Sequence, residues 1–411
     1  MRRIVLPLVS SLVALAMVAP LPAQKKVPKR PRLEAGSDTN HAGTYYSHGL
    51  RVLERRPDEA ADAFYWAARL DPGWAQPFYA RRIALLMADQ HFLVRYWTSN
   101  NRRFNMSKEV LSIDSLELRA LMLNPYVIRE LDRQFVLAFL TASWEQYLQR
   151  MGYRPDQVSR SELTFYIERT LQADASVWTK ARLAASERRF PEALELYRKA
   201  LKQNKDDAAE IHEQRARIFF LIGNDDSARV EMELALDDLR KQDATEFVRL
   251  YISKAVLEHS IGMIHERRND LAAARDAYGR ALQEDLSYYP AHVRLGLLAL
   301  ATGDTATAST EFALAVEIRG DDASVRYTYG TVLAHLGKLD EAAEHLRKAV
   351  ALEPFYAAPY YALGRVSEAA GKPAEALAHY QDFVARAYGR HAELADARAR
   401  VTALTAVAGK P

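Results

Sequence analysis

Two adjacent histidine and glutamate pairs, at residues 212–213 and 265–266, are the residues of this chain that best suit metal chemistry. A helical zinc-protease motif needs a second histidine four residues after the first, so that both imidazoles face one ion. Ala216 and Asn269 occupy those positions. The sequence therefore predicts no metal site of this kind.

Other catalytic and cofactor-binding motifs are incomplete. Gly337 and Lys338 match the end of a phosphate-binding loop, but Leu339 stands where that loop needs Ser or Thr. His335 and His345 fall on different predicted helices, the chain has no cysteine, and no Gly-x-Ser-x-Gly motif occurs. We therefore predict no enzymatic activity, no cofactor and no metal, while carboxylates that folding brings together are left open by the sequence.

The elements that position these residues repeat with a fixed period of 34 residues. A small residue lets two helices approach closely, a bulky one fills the gap beside it, and Gly or Asn tolerates a left-handed turn. Five columns of such residues run in phase. They are Gly262, Gly296, Gly330 and Gly364; Asn269, Gly303, Gly337 and Gly371; Ala274, Ala308, Ala342 and Ala376; Tyr278, Phe312, Leu346 and Tyr380; and Ala281, Ala315, Ala349 and Phe383.

These columns resemble the tetratricopeptide repeat, a helical hairpin of that period. The Leu-Gly pair of the family occurs at residues 295–296 and 363–364, and its closing proline at Pro72 and Pro354. Upstream copies bring the count to seven repeats and a degenerate eighth. The resemblance predicts an all-α fold, a tetratricopeptide-type solenoid of helical hairpins that forms a right-handed superhelix and carries an atypical helical insert.

The chain divides along these repeats and the segments that depart from them. Within the insert, residues 108–123 and 127–148 have helical periodicity and residues 98–105 read as a loop. The predicted segments are a signal peptide (1–23), a flexible basic and proline-containing linker (24–40), N-terminal repeats (41–95), the insert (96–173), further repeats (174–242), an inter-repeat connection (243–254), four regular repeats (255–388), and a capping helix with a tail (389–411). The last helix is alternatively a docking helix for a partner.

The N-terminus has the features of an export signal, with Arg2 and Arg3, an apolar run at residues 4–18 and small residues at 19–23. We predict cleavage after Ala23 and a periplasmic or secreted bacterial protein with no stable membrane span. The alternative is an uncleaved anchor, although the run is shorter than the ~20 apolar residues of a span. A formal charge of +3 does not favour nucleic-acid binding.

The resemblance implies that the first helix of each repeat lines a concave groove, and that a protein or peptide partner binds there. Carried over by position, the partner-binding residues are Trp178, Arg182, Arg217, His259, Met263, Arg294, Leu297, Tyr327, Tyr361 and Arg365. A lysine and asparagine pair that some members use to grip a terminal carboxylate is replaced by His259 and Met263. Alternatively, the aromatic residues are core, the arginines are solvated surface, and the insert covers the apolar part of the groove.

We therefore predict a non-enzymatic exported scaffold for a protein or peptide partner, acting in assembly of the cell envelope or in complex formation. A second hypothesis is a factor that handles glycan or cell-wall polymer, or the regulatory arm of an envelope enzyme, in which Tyr, Trp and Arg contact sugars. Self-association through exposed repeat ends is a third.

Overall fold

The computed structural model describes residues 27–89, 93, 108–152, 162, 165, 167, 169, 171, 176–203, 207–245 and 253–408. Within those residues the regular structure is helical, and 18 helices are delimited. The predicted signal peptide, its cleavage site after Ala23 and the predicted loop at residues 98–105 lie outside the described residues. None of the described helices combines the length and apolar character needed to cross a membrane.

The helices are numbered here in chain order. The first half contains α1 (Ala42–Val52), α2 (Pro57–Leu70), α3 (Gln76–Ala88), α4 (Lys108–Leu123), α5 (Asp132–Arg150), α6 (Val177–Ser186), α7 (Phe190–Gln203), α8 (Ala208–Leu221) and α9 (Asp225–Thr245). The second half contains α10 (Lys254–Arg267), α11 (Leu271–Glu284), α12 (Tyr289–Ala301), α13 (Thr305–Ile318), α14 (Ala323–His335), α15 (Leu339–Leu352), α16 (Ala358–Ala369), α17 (Pro373–Arg386) and α18 (Leu394–Ala408).

Consecutive helices from α10 to α17 pair into hairpins, as the repeat columns predict. A Cβ atom at Gly296 would lie 2.7 Å from the Phe312 ring, and one at Gly364 would lie 2.5 Å from the Tyr380 ring. The glycine column therefore makes room for the bulky column of the partner helix. At the turn, Gly303 has φ +78° and Asn269 has φ +60°, the left-handed conformation that this column favours.

The insert is partly helical where the sequence predicts it to be. Helix α4 coincides with the predicted residues 108–123 and packs along α3, the first helix of the degenerate repeat. The prediction of a helix from residue 127 is wrong, because residues 124–131 form turns and α5 begins at Asp132. The predicted connection at residues 243–254 opens as helix, since α9 continues to Thr245.

The prediction of a flexible linker at residues 24–40 needs correction for residues 28–33. The Trp66 indole donates a hydrogen bond to the Pro28 carbonyl oxygen at 3.1 Å. The Arg30 guanidinium lies 4.5 Å from the ring centroid of Trp66 and 4.9 Å from that of Phe355. Leu33 packs against the core of the first repeats. Residues 28–33 are thus held on an aromatic surface that the basic and proline-rich composition did not reveal.

The first and last repeats contact each other, so the chain closes on itself. Arg69 of α2 pairs with Glu353 at the end of α15, with Nε 2.7 Å from Oε2. Near the C-terminal end of α17, the Gly389 amide donates to the Asp38 carboxylate at 2.7 Å. Helix α18 packs on α17, beyond the last hairpin of the array.

Candidate functional site

The predicted groove is best described by two residues of each first helix, four positions apart and therefore on one face. We call this set the groove row. From α6 to α16 the groove row consists of Trp178 and Arg182, Glu213 and Arg217, His259 and Met263, Val293 and Leu297, Tyr327 and Thr331, and Tyr361 and Arg365. Arg294 of α12 is adjacent to it.

The insert occupies the N-terminal half of the groove row. Arg182 of α6 donates from Nη2 to the Asp132 carboxylate at 2.9 Å. Arg217 of α8 donates from Nη1 to the Val127 carbonyl oxygen at 2.9 Å. Both arginines were predicted to meet a partner, and in this structure a segment of the same chain takes that place.

Tyr126 extends this contact to α10. Its ring is parallel to the Phe220 ring of α8, with centroids 3.6 Å apart and an interplanar angle of 5°. Its hydroxyl donates to the Ser260 carbonyl oxygen at 2.9 Å. Burial raises the pKa of Tyr126, so the hydroxyl stays protonated. Sequence reasoning missed Tyr126, Val127 and Asp132, because no periodic pattern marks the turn that carries them.

Charged groups of the insert form a buried network with the repeats. The Glu117 carboxylate lies 3.0 Å from Arg82 and 3.4 Å from Arg129. Burial by itself raises the pKa of Glu117, but the charges of Arg82 and Arg129 outweigh burial and lower that pKa. Burial likewise raises the pKa of Asp132, but the charges of Arg182 and Arg129 outweigh burial and lower that pKa. These carboxylates are therefore ionised, and each is balanced by arginine.

Two predicted partner-binding residues lie inside the protein. Arg217 and its ion-pair partner Glu213 are both buried. His259 is enclosed by the rings of Tyr278 and Tyr288. Because neither Arg217 nor His259 offers accessible surface, a partner reaches them only if the surrounding structure moves.

Met263 and Trp178 are partly buried, and their surroundings favour the core interpretation. Met263 packs against apolar clusters of the neighbouring repeats. Trp178 belongs to the cluster around α6 and α7, and the Arg182 guanidinium lies 5.3 Å from its ring centroid. Trp178 therefore helps to orient the arginine that holds the insert.

The C-terminal half of the groove row is more open. Leu297 of α12 is 37% exposed, and Arg365 of α16 is exposed as well. Tyr361 donates its hydroxyl to Asp396 of α18 at 2.8 Å. Tyr327 meets the edge of the Tyr356 ring at a centroid distance of 5.4 Å. The hydrogen bond from Arg365 to Tyr361 is the main cause that raises the pKa of the guanidinium.

Arg294 is the predicted residue between these two halves. Its Nη1 atom lies 3.5 Å from a carboxylate oxygen of Glu266, and the arginine is half-buried. The structure therefore joins Arg294 to the end of α10 rather than leaving it free, but part of its side chain still faces solvent next to Leu297.

Three of the histidines considered for metal binding have polar partners in the structure. His212 Nδ1 is 2.7 Å from Glu231, and His265 Nδ1 is 3.6 Å from Asp270. His345 Nδ1 is 3.3 Å from an Arg326 nitrogen. Across the residues that the structure describes, no three His, Asp or Glu side chains are grouped so as to hold a metal ion.

Two family models match this chain, one described as tetratricopeptide repeat over residues 179–244 and 260–324, and one described as TPR repeat over residues 330–371. The matched ranges run from α6 to α16 and include the residue columns and left-handed turns of these helices. The chain therefore belongs to the tetratricopeptide repeat proteins, and its repeats place it in a class of protein-interaction scaffolds that are typically non-enzymatic.

Solved structures with a similar arrangement of helices include YrrB, a TPR protein with an unusual peptide-binding site. It is 21% identical, with a TM-score of 0.39 over 50% of this chain and 99% of YrrB. The C-terminal part of a TPR repeat-containing protein from Cytophaga hutchinsonii is 18% identical, with a TM-score of 0.42 over 51% of this chain and 78% of that one. PilW, a type IV pilus biogenesis factor, is 16% identical, with a TM-score of 0.42 over 54% and 96%. No curated protein matches the sequence.

Proposed function

We propose that this protein is a non-enzymatic exported scaffold that binds a protein or peptide partner on the groove row of α12, α14 and α16. The observation that carries this proposal is the exposure of Leu297 and Arg365 in that row, while the insert covers the row from α6 to α10. The open surface combines an apolar side chain with a guanidinium.

This combination suits a peptide segment with an apolar anchor and polar groups beside it. A leucine on a helical surface offers apolar area to an anchor residue, and arginine and tyrosine are enriched among side chains that contribute strongly to binding.

A photo-crosslinking experiment tests the location. A photoreactive amino acid replaces Leu297 in the groove row, and the matched control replaces Leu314 on α13, which is also 37% exposed but lies on a second helix. We expect one protein partner to be crosslinked from position 297 in native envelope and not from position 314. Equal crosslinking from both positions would remove the groove assignment.

Charge reversal tests the role of the arginines. The variant Arg294→Glu with Arg365→Glu should lose the crosslinked partner, because both changes place carboxylates beside the open surface. The control Arg275→Glu with Arg347→Glu makes the same charge change at exposed positions on the second helices α11 and α15 and should retain it. Retention on purified cell-wall polymer, with no protein partner, would instead support the glycan-handling alternative.

Export belongs to the same proposal and has its own test. If residues 1–23 are a cleaved signal, the mature protein begins at Gln24 and appears in a periplasmic or secreted fraction. N-terminal sequencing of the fractionated protein checks this. A mature chain that retains Met1 and remains with the cytoplasmic fraction would contradict export.

A further inference from the structure

Residues 124–132, which comprise the turns between α4 and α5 and the first residue of α5, are held in the groove row in the manner of a bound peptide. Three groups of the segment meet the repeats, namely the Tyr126 ring with its hydroxyl, the Val127 carbonyl oxygen and the Asp132 carboxylate. Only the tyrosine and the aspartate use side chains. A peptide that carries a tyrosine and an acidic residue at a comparable spacing offers the same three chemical groups.

The receiving groups come from three consecutive repeats and share one face. Arg182 on α6 and Arg217 on α8 stand at the same position of their repeats, and both donate to the segment at 2.9 Å. Phe220 of α8 stacks on the tyrosine ring, and the Ser260 carbonyl oxygen of α10 accepts its hydroxyl. This face is the part of the molecule that the repeat pattern assigns to partner binding.

In the contacts of Arg182 and Arg217 with the segment, another carboxylate or carbonyl oxygen can replace the present acceptor. A buried ion pair such as Arg182 with Asp132 has little net stabilising effect, because desolvation of both charges offsets their attraction. Removing the Asp132 carboxylate from Arg182, or the Val127 carbonyl oxygen from Nη1 of Arg217, without a replacement is much less favourable. Arg182 and Arg217 therefore require a carboxylate and a carbonyl, but those groups need not belong to this chain.

We propose that residues 124–132 are an internal ligand of the groove row across α6, α8 and α10, and that this half of the row binds an acidic peptide with an aromatic residue, which displaces the segment. The inference rests on the proposed function, since both require that the groove row binds peptides. It adds a second binding region and the chemistry of its ligand. Occupation by the internal ligand lowers the apparent affinity for the external one.

A synthetic peptide with the sequence of residues 122–134, labelled with fluorescein, is the probe. It is titrated into the full-length protein and into the variant Tyr126→Ala with Asp132→Asn, in which the internal ligand lacks its two recognised side chains. We expect the variant to bind the probe about ten-fold more tightly, because a larger fraction of its molecules has the groove row free of residues 124–132. A probe carrying the same two changes should bind neither protein, and Tyr147→Ala, an exposed change on α5, should behave as the wild type.

Hydrogen exchange on the unaltered protein provides a second measurement that does not depend on the folding of a variant. Saturating probe should increase the exchange of the amides in residues 124–132, because displacement removes the contacts of this segment with the repeats. Unchanged exchange at saturation, no binding of the probe to either protein, or equal binding of the altered probe would each overturn the proposal. Crosslinking from Leu297 does not involve this segment, so that test can succeed when this one fails.

Discussion

Among single residues, His259 makes the stability of the fold depend on pH. Its ring centroid lies 5.1 Å from that of Tyr278 and 5.4 Å from that of Tyr288. Burial first, and the charge of Arg294 second, lower its pKa from 6.5 to about 3. Between pH 6.5 and about pH 3, His259 binds a proton in the unfolded chain but not in the folded chain. The contribution of His259 to the free energy of unfolding is therefore complete above pH 6.5 and is lost on acidification.

The change His259→Leu should flatten this dependence. Between pH 7 and pH 5 the histidine accounts for about 2 kcal/mol of unfolding free energy, at ~1.4 kcal/mol for each pH unit below 6.5. Urea unfolding of wild type and variant at both pH values measures it. His335→Leu, a change at an exposed position, is the control and should keep the wild-type difference. If His259→Leu kept the full wild-type change in unfolding free energy between pH 7 and pH 5, His259 would not be the source of this pH dependence.

Two glycines test the packing of the columns. A Cβ atom at Gly364 would lie 2.5 Å from the Tyr380 ring, so Gly364→Ala should destabilise the protein by about 1–3 kcal/mol through overpacking. A Cβ atom at Gly279 of α11 would have no neighbour within 4 Å, so Gly279→Ala should stabilise the protein by about 0.5–1 kcal/mol. Thermal unfolding of the two variants should shift in opposite directions. A shift in the same direction would argue against the column packing.

At the scale of helices, the sequence predicts the regular repeats and leaves the insert undetermined. Gly296 and Phe312 recur in phase with their counterparts, so the hairpins from α10 to α17 follow from local pattern. The contact of Asp132 with Arg182 has no such origin, because the two residues belong to segments with different periodicity and meet only after both have folded. For the same reason, the groove row was predictable by position, whereas the sequence left coverage by the insert as one alternative and assigned it to the apolar part of the groove rather than to α6, α8 and α10.

An ion pair between Arg119 and Asp322 attaches the insert to the repeats. Arg119 of α4 pairs with Asp322, which also accepts from the Ser324 amide at the start of α14 at 2.9 Å. Arg119→Ala leaves a buried carboxylate without its cation and should destabilise by about 3–5 kcal/mol. Arg198→Ala breaks an exposed pair with Glu195 and should leave the unfolding midpoint almost unchanged. Urea unfolding measures both variants. Equal destabilisation by the two changes would contradict a role for Arg119 in attaching the insert to the repeats.

At the scale of the whole molecule, contacts between the first and last repeats limit how far the array can extend. Trp66 and Phe355 meet edge to face at a centroid distance of 5.1 Å, with Arg30 and Arg69 beside them. Replacing both aromatic residues with alanine should open the array and increase the radius of gyration measured by small-angle X-ray scattering. Tyr147→Ala, an exposed change, is the control. An unchanged radius would mean that the ion pair between Arg69 and Glu353 suffices for closure.

This closure also determines when the protein can finish folding during synthesis. Arg69 is separated from Glu353 by 284 positions, and Asp38 from Gly389 by 351. Contacts of such sequence separation form slowly, because a long loop must close before they contribute stability. The first repeats emerge early and lack these contacts until nearly the whole chain has been made. The aromatic surface around Trp66 therefore lacks its contact with Phe355 throughout most of translation, and a chain that stops before residue 353 presents that surface permanently to other proteins.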